Sequence, residues 1–173
     1  DGWTSTLSRR QWQSLGASLR ALHESELPED LARGVPREAF SDHWRQRLFR
    51  FMDDACRPEP ADPAARGLAA LLHTKRELIE TLASRAGQLA ADLERRRVEQ
   101  CLCHGDIHAG NILVTPGGQL YLVDWQTLIF APRERDLMFI GGGVGGTWNA
   151  VHESQWFYEG YGSSPVDLEL LSY

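Results

Sequence analysis

Cysteine is scarce in this 173-residue chain, with Cys56, Cys101 and Cys103 the only three. An odd, sparse set is not a disulfide framework and points to a reducing compartment, the cytoplasm. Long apolar runs are lacking too. None approaches the roughly 20 residues that span a bilayer, so no membrane partner is expected. No basic-then-apolar leader opens the chain. Basic residues are outnumbered, with 18 Lys and Arg against 24 Asp and Glu, for a net charge of -6. Phosphate backbones need basic stripes, so nucleic acid is excluded as an obligate partner. Lys75 is the only lysine, mid-helix among arginines, where it reads as a solvated residue. A starting Met is missing as well. The opening Asp1-Gly2-Trp3-Thr4 and the ending Leu170-Leu171-Ser172-Tyr173, inside an apolar pattern, read as the edges of a piece of a longer protein.

What is there fits one soluble globular domain, with 42% hydrophobic and 24% charged residues. Ser8 is placed to cap a helix running to about Ser25, its stripe being Trp12, Leu15, Leu19 and Leu22. A second helix is expected from Pro36 to Cys56, with Phe40, Trp44, Leu48 and Phe51 on one face. Pro58, Pro60 and Pro63 make a stiff turn. Asp62 then caps a long helix from Pro63 to about Arg96, striped by Leu68, Leu71, Leu72, Leu78, Ile79, Leu82, Leu89 and Leu93. Helical packing is the expected fate of all three stripes.

Beyond this point the pattern changes. Cys101-Leu102-Cys103 reads as a short strand and residues 104–110 as a loop. Strands at 111–114 and 119–123 flank Thr115-Pro116-Gly117-Gly118, whose turn chemistry makes the pair a hairpin. A short helix is expected at 135–140, another at 152–161, and Asp167 can cap one more. The fold class is α+β and mainly helical, with one small β-hairpin.

The chemistry concentrates in His104-Gly105-Asp106-Ile107-His108-Ala109-Gly110-Asn111 and in Val123-Asp124-Trp125. Phosphoryl transfer needs an acceptor for the nucleophile's proton and oxygen ligands for a magnesium ion that neutralises phosphate charge. An Asp in a loop can be the acceptor. An Asn amide oxygen and a second Asp can hold the metal. The hairpin joins Asn111 to Asp124, so both can project from its open end toward one point.

His-Gly-Asp-x-His-x-x-Asn, then a hairpin and Val-Asp-Trp, resembles the catalytic signature of the aminoglycoside phosphotransferase family, small-molecule relatives of protein kinases. The motif-bearing resemblance covers about residues 101–162. It implies the C-terminal lobe of a protein-kinase-like fold, spanning 1–173. It implies that Asp106 is the catalytic base and that Asn111 and Asp124 bind magnesium and, through it, ATP. His104 is implied to orient the loop, and Asp136 to brace it from behind. Residues 131–145, with Trp148-Asn149 and 156–162, are most similar to the branch of the family that phosphorylates the aminocyclitol spectinomycin, an antibiotic-resistance activity. The family's nucleotide lobe, with its phosphate-covering loop and strand lysine, is not in this sequence. The resemblance implies that it precedes this chain as a partner lobe and that the chain by itself has little or no activity.

The implied acceptor is a small molecule with a hydroxyl, and acidic groups suit a cationic one. Glu134, Asp136 and Glu153 are candidates, with Glu134 expected to be the best exposed. Their rival role is ordinary ion pairing beside Arg133 and Arg135. His108 is a further candidate for the cleft. Trp125, Trp148 and Trp156 could line it too, although core packing is the expected fate of each, and Trp125, next to Asp124, has the best claim. Other aminoglycosides, choline-like amino alcohols and sugar alcohols remain open as acceptors. A non-catalytic pseudokinase or binding module, and a hydrolase using Asp106 and His108, are the rival classes. Gly141-Gly142-Gly143-Val144-Gly145-Gly146 matches a Gly-x-Gly-x-x-Gly loop, but it follows the catalytic motifs and leaves no strand, so it reads as backbone turns. Cys101, Cys103, His104 and His108 crowd as zinc ligands would, yet strand alternation sends His104 away from the two thiols. His23, His43, His73 and His152 read as surface or packing residues.

Overall fold

A computed structural model describes residues 6–55, 62–142 and 147–173. Cys56, Pro58, Pro60 and the glycines from 143 to 146 lie outside the described residues. The chain divides into two compact units, residues 1–38 with 98–172, and residues 39–97 with Tyr173.

The first unit opens with α1 (Arg9–His23). Ser8 caps it as expected. The Gln11 amide donates to Ser8 Oγ, and the Ser8 amide donates back to Gln11 Oε1 at 2.8 Å. Trp12, Leu15 and Leu19 are buried at helical spacing, each side chain contributing on the order of 1.5–3 kcal/mol. Their partner is α6 (Val151–Tyr161), which buries Phe157 and Tyr161. Two glycines let the helices approach backbone to backbone. A Cβ on Gly16 would stand 2.7 Å from the Tyr161 amide nitrogen, and one on Gly160 2.7 Å from Gln13 Cα.

A one-turn helix, α2 (Glu29–Ala32), follows. The expected helix from Pro36 does not start there. Phe130 donates its amide to the Pro36 carbonyl and accepts from the Glu38 amide, both at 2.8 Å. That pairing satisfies backbone groups that a helix would have claimed. The small sheets are β1 (Cys101–Cys103) with β4 (Ile129–Ala131), and β2 (Ile112–Val114) with β3 (Leu120–Leu122), both antiparallel. The β2–β3 hairpin matches expectation. The strand β4 was not foreseen, because three residues carry no measurable alternation. The unit ends with α5 (Glu134–Leu137), α6 and α7 (Leu168–Ser172). Asp167 Oδ1 accepts from the Glu169 amide at 3.0 Å at the start of α7.

The second unit is a helical pair, α3 (His43–Ala55) and α4 (Pro63–Glu94). Asp62 accepts from the Ala65 amide at 2.8 Å, so the expected cap with proline at the first helical position is present. The expected stripes are corrected. Met52 is the buried residue of α3, while Trp44 is 70% exposed and Phe51 51%. On α4, Ala83, Ala90 and Leu93 are buried, whereas Leu68, Leu71, Leu78 and Leu82 are exposed. Small residues and one leucine are the buried positions of α4, while Leu72, Ile79 and Leu89 are half-buried.

Candidate active site

The strand β1 delivers the chain into the loop 104–111 at a sharp turn. Gly105 takes φ +84, and a Cβ there would strike the Thr127 carbonyl oxygen, so only glycine fits. Thr127 Oγ1 donates to the His104 carbonyl at 2.9 Å, fastening the loop to the residues after the hairpin.

Asp136 holds the loop from the other side. Its Oδ2 accepts from the His104 amide at 2.9 Å and its Oδ1 from the Gly105 amide at 2.7 Å. Its side chain is wholly buried, so the charge needs these donors to persist there. His104 is buried as well. Its Nε2 donates to the Val123 carbonyl at 3.0 Å. Its Nδ1 has no partner among the described residues. The ring leans on Trp125 at 4.6 Å.

Asp106 follows directly, its side chain 38% exposed. Asn111 Nδ2 donates to the Asp106 carbonyl at 2.9 Å and reaches Asp106 Oδ2 at 3.3 Å. The amide group is thereby oriented and its oxygen left available. His108 accepts from the Gly110 amide at Nδ1, 3.0 Å away, and lies 3.5 Å from Asp106 Oδ2 through Nε2. So Asp106, His108 and Asn111 meet through their side chains.

Asp124 joins them through the backbone. Ile112 pairs with Leu122, and the Val123 amide donates to the Asn111 carbonyl at 3.0 Å. Asp124 is the next residue, in the left-handed region at φ 66, an unusual backbone state for a residue with a side chain. It is exposed, and Gln126 Nε2 donates to its Oδ1 at 2.6 Å. The donor set of Asn111 and Asp124 is all oxygen, which fits a hard ion such as magnesium.

Several expectations need correction. Glu134 is not exposed. It is 4% accessible, its Oε1 accepts from the Asp167 amide at 3.0 Å, and Arg133 Nε lies 3.6 Å away. It is a structural anion tying α5 to the segment before α7. Glu153 reaches back to the Ala150 amide at 3.0 Å at the start of α6. Trp148 takes the core-packing fate expected of it, buried edge-on against Trp12 with ring centroids 5.2 Å apart. Trp125 stays exposed beside Asp124, its Nε1 donating to the Leu122 carbonyl.

The thiols of Cys101 and Cys103 lie 3.8 Å apart, within hydrogen-bond distance of each other, and the Ala131 carbonyl is an alternative acceptor within reach of both. The hydrogen bond with Cys101, and then burial, push the Cys103 thiol far above its ordinary range. His104 and His108 turn elsewhere. His23 comes near the thiols instead, with ligand atoms within 4.8 Å, but both of its ring nitrogens are already engaged. Nε2 faces Asp136 Oδ2 at 3.0 Å and Nδ1 faces the Tyr161 hydroxyl at 2.8 Å. Reading the sequence as a packing pattern missed this network. The signal was there, since His23 stands four residues after Leu19 and Tyr161 four after Phe157, both on buried faces.

An Asp–Asn loop braced by a buried Asp, beside a hairpin ending in a second Asp, is the arrangement of a kinase-like phosphotransferase. The profile of the phosphotransferase enzyme family matches residues 3–163, and the chain belongs to that family. It is similar to a crystal structure of spectinomycin phosphotransferase in complex with ADP and spectinomycin, at 37% identity and TM-score 0.91 over 99% of this chain and 52% of that one. An AMP-bound structure of the same enzyme matches equally well, with 54% of its length covered. An ethanolamine kinase of Plasmodium vivax shares the fold at TM-score 0.60 and 18% identity, over 89% of this chain and 44% of that one. The chain spans about half the length of these solved structures. No curated protein matches its sequence. Among the described residues no helix is long and apolar enough to cross a membrane.

Proposed function

We propose that this chain is the C-terminal, catalytic lobe of an ATP-dependent kinase that phosphorylates a hydroxyl of a small cationic molecule, an aminocyclitol such as spectinomycin. The observation that carries this reading is the contact of Asn111 with Asp106, at 2.9 and 3.3 Å, in a loop whose two leading amides are held by buried Asp136. The 37% identity to an enzyme crystallised with ADP and spectinomycin supports the substrate class.

In this reading the Asp106 carboxylate accepts the proton of the attacking hydroxyl. Asn111 keeps that carboxylate aimed by its amide hydrogens and offers its oxygen to magnesium together with Asp124. The ion, when bound, would neutralise charge on the phosphate oxygens. The Asp136 brace lets the loop keep its position as charge shifts. A net charge of -6 suits a cationic acceptor. Glu134 is not among the groups that would meet it. The nucleotide lobe of the same protein completes the ATP site, and the chain alone is inactive.

The test uses the full-length gene product with ATP, magnesium and a panel of acceptors: spectinomycin, other aminoglycosides, choline and sugar alcohols. Asp106→Asn should lower turnover by on the order of 100-fold or more while nucleotide affinity holds. Near-normal turnover would reject Asp106 as the base. Micromolar binding of ATP with magnesium by the 173-residue chain alone, measured by titration calorimetry, would overturn its dependence on a partner lobe.

A further inference from the structure

The loop brace has a brace of its own. Asp136 Oδ2 takes a second donor, His23 Nε2 at 3.0 Å, from a helix 113 residues away in sequence. His23 Nδ1 faces the Tyr161 hydroxyl at 2.8 Å. The His23 and Asp136 side chains are 5% and 0% exposed, so water does not compete for either. Tyr161 is fixed in turn by its ring, stacked on Phe157 with centroids 5.5 Å apart. The polarity of the chain follows from its ends. A carboxylate can only accept, so Nε2 donates to it, and in the neutral ring Nδ1 then accepts from the phenol. Burial raises the Tyr161 phenol above its ordinary value, which keeps that donor protonated.

A carboxylate turns easily about its last torsion, which is broad and nearly two-fold. The two loop amides belong to the segment being positioned and cannot anchor it by themselves. His23 supplies the external reference. We propose that His23, oriented by Tyr161, is a positioning residue that sets the plane of Asp136 and through it the place of Asp106 in the phosphoryl-transfer loop. Its role differs from that of the catalytic residues, because it touches neither the reacting atoms nor a metal ligand. The role rests on the phosphotransferase reading above, and its first readout does not.

That readout is hydrogen exchange of the His104–Asp106 peptide in the full-length gene product. His23→Leu should speed exchange of the His104 and Gly105 amides by about tenfold or more, because their acceptor loses its reference. Turnover should fall about 10- to 100-fold with acceptor and ATP KM little changed, the cost of misplacing a reacting group by up to about 1 Å. His23→Gln places an N–H the same number of bonds from Cβ as Nε2 and should restore both readouts to within about threefold. Tyr161→Phe keeps the stacked ring and removes only the hydroxyl. It should raise exchange by a few-fold, and it serves if His23→Leu does not fold. Unchanged exchange in a folded His23→Leu or Tyr161→Phe protein overturns the proposal, and so does a Gln variant no better than Leu. An active Asp106→Asn enzyme would overturn the reaction assignment while the exchange result stood by itself.

Discussion

Replacing Asp136 with Asn changes one oxygen to NH2 and almost no volume, so its effect isolates hydrogen bonding. Three donors converge on the carboxylate: the His104 amide and His23 Nε2 on Oδ2, and the Gly105 amide on Oδ1. The new amide can face either way. With Nδ2 toward Gly105, one charge-assisted bond is lost and a buried N–H is orphaned. With Nδ2 toward His104, His23 can change tautomer and accept, but the His104 N–H is still orphaned. Both orientations therefore leave one backbone donor unsatisfied. A charge-assisted bond is worth about 1.5–3 kcal/mol, and the orphaned donor costs about 1–3 kcal/mol more. Relief from burying a charge offsets part of this. The net loss should be about 2–4 kcal/mol, a large share of the 5–15 kcal/mol typical of a domain. Urea denaturation followed by circular dichroism measures it, as a lower midpoint at unchanged slope. A loss below about 1 kcal/mol would refute the claim that the loop amides depend on this carboxylate.

Two further outcomes follow from the packing. Gly160→Ala should destabilise by about 1–3 kcal/mol in the same assay, since its Cβ would press on the Gln13 backbone, which cannot move aside as a side chain can. Tyr161 has a folded-state pKa raised by burial, so the stability it contributes is full below the unfolded value of about 10 and is lost as pH rises through the folded value. Melting temperature should therefore fall above about pH 10, and Tyr161→Phe should flatten that alkaline slope.

The sequence alone determined the local features. Ser8 and Asp62 cap their helices because capping depends on neighbours three residues away. The β2–β3 hairpin was readable from the turn chemistry of 115–118, and the family could be recognised from the motif order of residues 104–124. Only the tertiary structure decided which apolar faces are buried, as Trp44 and Leu78 show by remaining exposed. It also turned Pro36–Glu38 from a helix start into a strand-like partner of β4, and Glu134 from an exposed candidate into a buried anion. It assigned His23 to Asp136, a pairing across 113 residues. Spacing along a chain fixes what neighbouring residues can do for each other. The partners of a buried polar group are chosen by whichever distant element packs against it, and no local pattern records that choice.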